Sequence, residues 1–222
     1  QFSSNSIKAI VENCTDLIKL DLSGNSYFTT EFETLMNKPF LNLNYLTLAA
    51  TGVTQLPETF AQTFPNVREL NLNFNRITNI DALAGMKNLR KVYLLSNKIE
   101  KIGLIVTGLR DSRNSLKILD LRLNPLNETL YPFVFNEQEL EYSQHIKNTA
   151  DIELSPIPLE NLEDIENFAI LYEALRKNLD DWEERDADHL KKLTDERRVG
   201  SARQRVQYET LLVNLFQQLK YL

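Results

Sequence analysis

Leucine and similar apolar residues recur in one arrangement along residues 1–127, at the first, fourth and sixth positions of a nine-residue motif. The first copy runs from Leu17 to Asn25 and closes on asparagine. Four more copies follow at slightly unequal intervals, and repetition of this kind predicts a stack of similar structural units. The fourth position of the motif, which marks the register, falls at Leu20, Leu46, Leu70, Val92 and Leu119.

Each copy predicts a short strand, because its two inner leucines alternate with residues that must face the other way. Apolar residues also follow each strand, as Ile77 and Ile80 do in the third copy, and these predict an outer wall of short helices or 3₁₀ turns. The pattern is typical of the leucine-rich repeat. We therefore expect an α/β solenoid with a short parallel concave sheet and a helical or 3₁₀ convex wall. A helical insertion and a C-terminal cap helix complete the expected fold.

Asparagine closes most copies of the motif, and its amide can satisfy backbone groups where the chain turns inward. Thr51 replaces it in the second copy, which predicts a looser second repeat because a hydroxyl makes fewer hydrogen bonds. The opening stretch at residues 7–11 reads as a helix of the convex wall or an N-terminal cap. The asparagines are Asn25, Asn75, Asn97 and Asn124.

Residues 1–222 are predicted to form a single domain of three parts. Five repeats occupy residues 1–127, and an acidic, partly helical insertion occupies residues 128–200. A cap helix and the start of a last repeat occupy residues 201–222. Apolar residues at helical spacing between 159 and 182 predict a helix. Two interpretations of it stay open, a helix packed on the solenoid edge and a partner-binding or coiled-coil helix.

The last residues predict a cap followed by a new repeat. Tyr208 begins an apolar helical face, and Leu219 and Leu222 then repeat the spacing of the motif. Because the sequence stops inside an apolar pattern, we expect it to be a piece of a longer protein. Residues 197–205 read as an exposed loop, in which Ser201 lies three residues after Arg198 and is a candidate phosphorylation site.

Charge and composition narrow the functional classes. The net charge is −6, and residues 128–200 alone carry −11, which argues against a nucleic-acid-binding face. No apolar run is long enough for a membrane span. The single cysteine, Cys14, excludes an intrachain disulfide and favours a reducing compartment. His145 and His189 lack further ligands at metal spacing, so we expect no metal, no cofactor and no enzymatic activity.

A partner is expected on the concave sheet, where strand residues not used by the core face solvent. We predict that Tyr93, Leu95, Ile118 and Arg122 anchor a peptide or helix, because aromatic residues and arginine dominate binding hot spots. The alternative is that the insertion folds back over this face and uses the same residues internally. The full predicted site is Tyr45, Asn71, Tyr93, Leu95, Ile118, Asp120 and Arg122.

The chain resembles intracellular leucine-rich-repeat proteins that end in a helical cap. Its repeats of irregular length, the acidic insertion and the ending from Tyr208 to Leu222 are similar to those of the fungal spindle-pole-body scaffolds of the mitotic exit and septation initiation networks, which are similar to centriolin. Gln218 stands where the usual cap has proline. This resemblance implies a docking platform for spindle-pole anchors and for a small-GTPase and kinase cascade at the spindle pole body during mitotic exit, in the cytoplasm and cytoskeleton. We expect the domain itself to be monomeric.

Two other classes of protein stay open. Short regular repeats, as between Asn75 and Ile102, also suit a regulatory subunit that wraps a protein phosphatase, although the insertion fits that class poorly. A splicing-type module that holds an RNA-binding partner would carry more positive charge. All three interpretations are of a protein that binds other proteins, with no nucleic acid or membrane as a direct partner.

Overall fold

The computed structural model describes residues 4–14, 16–25, 28–127, 130–131, 182–192 and 194–220. The predicted helix between residues 159 and 182 lies outside the described residues except for its last position. Both interpretations of this helix, and the alternative that the insertion folds over the concave face, therefore concern residues outside the described ranges.

Five short strands form one parallel sheet in chain order. The marked positions pair directly, Leu20 with Leu46, Leu46 with Leu70, Leu70 with Val92 and Val92 with Leu119. The register predicted from the repeats is therefore confirmed, and so is the parallel sheet. The strands are β1 (Lys19–Asp21), β2 (Tyr45–Thr47), β3 (Glu69–Asn71), β4 (Lys91–Tyr93) and β5 (Ile118–Asp120).

The length of each unit decides what its convex side can hold. The two longest units, the first and the fourth, have room for the helices α2 (Phe28–Leu35) and α4 (Ile102–Gly108). The second unit holds one turn, α3 (Phe60–Thr63), and the third, which is the shortest, only a 3₁₀ turn at Asp81–Leu83. A second 3₁₀ turn, Arg110–Ser112, follows α4. The expected helix at the start is α1 (Ser4–Asn13).

The core is a continuous stack of apolar side chains between the sheet and the convex wall. Leu22, Leu48, Leu72 and Leu94 are fully buried in successive units. Burial of one such leucine contributes about 1.5–3 kcal/mol, so the stack supplies most of the stability. Three phenylalanines of the first units add ring contacts: the centroids of Phe60 and Phe64 are 5.0 Å apart, and those of Phe40 and Phe64 5.6 Å.

Every strand is followed by a turn that needs a left-handed residue just before the asparagine position. Glycine fills this place once, as Gly24 with a φ of 72°. Elsewhere a residue with a side chain adopts it, at a cost of about 1–2 kcal/mol each. Neighbouring units evidently hold the turn firmly enough to offset that cost. These residues are Ala50, Phe74, Ser96 and Leu123, with φ between 52° and 56°.

The asparagine column links each unit to the one before it. Asn97 donates from Nδ2 to the carbonyl of Leu72 in the previous unit at 2.9 Å and to Leu94 in its own unit at 3.1 Å. Its Oδ1 accepts the backbone N–H of Ile77 at 3.1 Å. Asn124 repeats these contacts with Leu94 and Ile99. The predicted role of the amides is therefore confirmed, and Asn75, Asn97 and Asn124 each tie two adjacent units together.

Thr51 differs from its asparagine counterparts in where it bonds. Its hydroxyl donates to the carbonyl of Leu48 at 2.8 Å, and its amide bonds Oδ1 of Asn75 at 3.1 Å. The side chain is fully buried and its hydroxyl is hydrogen-bonded, so its polar group is satisfied. Among the described residues, neither partner belongs to the first repeat. The missing tie is therefore the one between the first and second units.

The far end of the solenoid is covered by α6 (Asp195–Leu215), and the preceding helix α5 (Trp182–Lys192) contacts α6 through Asp186. Tyr208, Leu212 and Phe216 bury one face of α6 in the core. After the helix, the N–H of Lys220 donates to the carbonyl of Lys117 at 2.8 Å. This is the bond that opens each earlier strand pair, so the described residues enter a sixth repeat in register, as the spacing predicts.

The prediction of an exposed loop at residues 197–205 is wrong, because this segment lies inside α6. The run of basic residues suggested a solvent-exposed loop, but Arg205 is buried. The Arg205 guanidinium lies 4.6 Å over the ring of Tyr131, and Nη1 bonds Asp186 of α5 at 2.8 Å. Nε also donates to the carbonyl of Leu130. Arg205 thus fastens the cap to the last repeat.

Candidate protein-binding face

The concave sheet exposes one aromatic side chain and half-buries two more apolar ones. Tyr45 is 45% exposed at the start of β2. Tyr93 and Ile118 are half-buried on β4 and β5. Because the strands are parallel and in register, Lys91 lies beside Ile118 and Glu69 beside Tyr45. The predicted residues Tyr45, Tyr93 and Ile118 therefore share one face, on β2, β4 and β5.

An ion pair crosses the middle of this face. Nζ of Lys91 lies 3.0 Å from Oε2 of Glu69 on the next strand. The bond to Glu69 raises the pKa of Lys91, against a smaller opposing effect of burial. The pair is partly exposed, so it contributes little to stability. It leaves the centre of the face electrically balanced between Tyr45 and Ile118.

Asn71 and Asp120, both predicted to contact a partner, use their side chains within the fold. Oδ1 of Asn71 accepts the N–H of Asn73 at 3.0 Å, and Oδ1 of Asp120 accepts the N–H of Arg122 at 3.1 Å. Asp21 makes the same bond to Ser23 in the first repeat. These bonds stabilise the turn after the strand. The local Asx pattern in the sequence could have revealed this role.

Arg122 forms a two-pronged bond with Asp120. Nε lies 2.9 Å from Oδ1, and Nη2 lies 2.7 Å from Oδ2. Burial works against the charge, but attraction and hydrogen bonding to Asp120 outweigh it and raise the pKa of Arg122. The guanidinium is therefore held in place by Asp120 through Nε and Nη2. It borders the concave face as a fixed charge pair, and we do not assign it an anchoring role.

Leu95 does not face solvent, and the prediction that it does is wrong. Its side chain is 1% exposed, and its counterparts Ala49 and Asn73 are also buried. The reason is the left-handed turn, which carries the chain inward shortly after the strand. Oδ1 of Asn73 then reaches the N–H of Leu95 at 2.9 Å. Strand alternation alone cannot predict this change of direction.

Ser201, the candidate phosphorylation site, lies on α6 and is half-buried. Its hydroxyl is 3.5 Å from the carbonyl of Leu130, the same carbonyl that Arg205 bonds. The side chain therefore belongs to the contact between cap and repeats.

Two further features bear on function. Within the described ranges, no group of three or more His, Cys, Asp or Glu side chains is arranged to hold a metal ion. In the same part of the chain, no helix has the length and apolar character that crossing a bilayer requires.

Residues 65–110, which include β3 and β4, match the family described as Leucine Rich repeats (2 copies). The chain carries leucine-rich repeats. The match includes the shortest and most regular unit, and the sheet register extends the same unit to all five strands. The expected fold class, an α/β leucine-rich-repeat solenoid, is thus confirmed.

Known proteins share the repeats. The septation initiation network scaffold protein cdc11 of Schizosaccharomyces pombe is 32% identical over 125 residues, which cover 56% of this chain and 12% of that protein. Decorin of Canis lupus familiaris is 30% identical over 97 residues, 43% of this chain and 26% of decorin. A leucine-rich-repeat protein structure from Leptospira interrogans covers 50% of this chain and 32% of its own, at 27% identity and a TM-score of 0.37.

The leucine-rich-repeat chain thus spans about an eighth of the length of the scaffold protein that it matches. The expected similarity to a fungal scaffold of the septation initiation network is confirmed at the level of the aligned repeats. Together the repeats and this relative indicate a protein-interaction domain.

Proposed function

We propose that this leucine-rich-repeat chain is the non-catalytic docking domain of a scaffold that binds signalling proteins of a septation initiation or mitotic exit network. The observation that carries the proposal is the concave face, where Tyr45 and Ile118 lie in one row across the sheet and Tyr93 lies in the next row, two residues along β4 from Lys91. An exposed tyrosine beside half-buried apolar side chains on a rigid sheet suits a binding hot spot, because such side chains bury a large area at little entropic cost.

The choice of network rests on the similarity to the septation initiation scaffold. The resemblance of the cap and insertion to spindle-pole-body scaffolds adds the location, the spindle pole body, in the cytoplasm and cytoskeleton. Partners in this proposal are spindle-pole anchors and components of the GTPase and kinase cascade. The domain itself acts as a monomer without a cofactor, and it binds neither nucleic acid nor membrane directly.

The corrected site is smaller than the predicted one. Tyr45, Tyr93 and Ile118 are its contact residues, and the Glu69–Lys91 pair supplies a polar centre that a partner can match. Asn71, Asp120 and Arg122 hold the surrounding turns and set the shape of the face. Leu95 belongs to the core and is not part of the site.

Ser201 gives the proposal a regulatory element. A phosphate on this hydroxyl would lie one helical turn before Arg205, and phosphate binds guanidinium strongly. It would compete with the Leu130 carbonyl and with Asp186 for that side chain. We therefore propose that phosphorylation of Ser201 loosens the cap from the last repeat.

The test is an affinity capture from mitotic fungal lysate, read by mass spectrometry. The Tyr45→Asp, Ile118→Asp double variant should lose septation initiation proteins that the unchanged domain captures. Leu41→Asp is the matched control, because Leu41 is 58% exposed but lies in the loop before β2. Capture of a phosphatase catalytic subunit as the dominant partner, or equal losses in the control, would refute the proposal.

A further inference from the structure

Four basic side chains form a row along one edge of the sheet, each just before the position where a strand begins. We call this row the basic rim. They are Arg68, Arg90, Lys117 and Lys220, and all four are exposed. Consecutive members are joined through the backbone: Arg90 N–H to the Arg68 carbonyl at 2.7 Å, Lys117 to Arg90 at 2.7 Å, and Lys220 to Lys117 at 2.8 Å. Adjacent strands are about 4.8 Å apart, so this basic rim is roughly 14 Å long.

Nothing among the described residues neutralises the basic rim. The ion pairs of the described chain include none of its four members. Three carboxylates of the same repeats are used elsewhere: Glu69 pairs with Lys91, Asp120 pairs with Arg122, and Asp111 accepts the N–H of Gly85 at 2.9 Å. Like charges side by side on neighbouring strands oppose folding. The fold itself therefore gains nothing from this row of cations.

The equivalent positions in the two preceding repeats carry a polar residue, Asn44, and then an apolar one, Ile18. Arg68 N–H donates to the Asn44 carbonyl at 2.8 Å, and Asn44 N–H donates to the Ile18 carbonyl at 2.8 Å. Ile18 is a large aliphatic side chain that is 59% exposed. The rim thus offers a partner a row of cations at one end and an apolar contact at the other.

The spacing of the cations identifies the shape of the partner. A step of about 4.8 Å is close to the 5.4 Å pitch of an α-helix. It differs from the roughly 6.7 Å between side chains on the same face of an extended strand. A helix with one carboxylate per turn can therefore place its carboxylates beside three or four cations at once. The carboxylates of an extended acidic peptide are too far apart to align with successive cations.

We propose that the basic rim is a second docking surface, which binds a helix of a partner protein that carries one Glu or Asp per turn and an apolar residue near Ile18. This surface is separate from the concave face, since its side chains precede the strands. Together the two surfaces would let one solenoid hold two segments of a partner, or two partners.

The test measures binding of a synthetic probe to the full chain by fluorescence anisotropy. The probe is an alanine-based peptide with one Glu per turn on a single face and a leucine at one end, made long enough to be helical in water. A scrambled peptide of the same composition spreads the Glu residues around the helix. We expect the striped helix to bind at least about tenfold more tightly, because only it matches the rim.

Charge reversal locates the binding. Arg68→Glu, Arg90→Glu should weaken the striped helix at least about tenfold. Lys98→Glu, Lys101→Glu is the control, because these exposed lysines follow the strand end of the fourth repeat and change the net charge equally. The concave-face variant Tyr93→Asp should keep its affinity for the helix, so a failure of the rim and a failure of the proposed function give different results.

Three results would overturn the proposal. Equal affinity for the striped and scrambled helices would show that only overall charge matters. Equal weakening by the rim and control reversals would show the same. Tighter binding of an extended acidic peptide, or displacement of the helix by a short RNA duplex at equal charge, would identify a different class of ligand.

Discussion

Asn97 gives the most direct test of how the units hold together. In the variant Asn97→Ala, the carbonyls of Leu72 and Leu94 each keep another amide donor, from Asn75 at 3.0 Å and Asn124 at 2.7 Å. The N–H of Ile77 loses the acceptor that Asn97 gives it and stays buried. Such an orphaned donor costs about 1–3 kcal/mol.

The variant also loses the two bonds that Asn97 donates to these carbonyls and leaves a small cavity. Together with the orphaned donor, these effects should lower the free energy of unfolding of Asn97→Ala by about 2–4 kcal/mol. For a chain of this length, that corresponds to a fall in Tm of roughly 5–15 °C. Urea and thermal unfolding, followed by circular dichroism, measure both quantities. Asn97→Asp should lose more at pH 7 and recover as the pH falls, because protonation restores a neutral side chain with a donor.

Asn66→Ala is the matched control for Asn97→Ala. Nδ2 of Asn66 also bonds a carbonyl of the previous unit, that of Leu41 at 2.8 Å, but its side chain is exposed. Water can replace that bond, so we expect a loss below about 1 kcal/mol. Equal losses for the two variants would refute the argument that burial makes the asparagine column essential.

Gly108→Ala places a Cβ 2.5 Å from the carbonyl oxygen of Ile80, so unfolding experiments should show a loss of roughly 1–3 kcal/mol or more. Gly103→Ala in the same helix meets no atom within 4 Å and should stabilise by about 0.5–1 kcal/mol; the reverse order would contradict the packing of α4. Ser96→Gly relieves a φ of 53° and should raise stability by about 0.5 kcal/mol, measured in urea, whereas a loss would mean that the left-handed turn carries no strain. Burial raises the pKa of Tyr131 and Tyr208, so the folded state holds these protons more tightly and stability should fall as pH rises above about 10. Replacing both tyrosines by phenylalanine should flatten that alkaline decline, and an unchanged decline would count against the buried phenols.

The repeats could be predicted closely because one chemical pattern serves both the strand and the core. Leu20, Leu46 and Leu70 are buried by the same rule that spaces them, so sheet order and register follow from the sequence. The convex wall follows from unit length, since the shortest unit has no room for the helix that the longest one contains. Neither the sheet register nor the convex wall required knowledge of contacts between residues distant in the sequence.

The errors arise where contacts distant in sequence decide the structure. Leu95 is buried because the chain turns inward at Ser96, which has a left-handed backbone conformation. The sequence does not predict this conformation, because it is usually adopted by glycine. Arg205 is buried because Tyr131 and Asp186 meet it, and local sequence shows only a basic run around Ser201. The basic rim was equally invisible, since its members belong to different repeats and become neighbours only in the fold.

The central claim is that the concave face binds a signalling protein, and site-specific photo-crosslinking tests it most directly. A benzophenone amino acid at Tyr45 in mitotic fungal cells should crosslink a component of the septation initiation network. The same group at Lys98, which is exposed beyond the strand ends, should not. No crosslinked partner from position 45, or the same partners from both positions, would contradict the account.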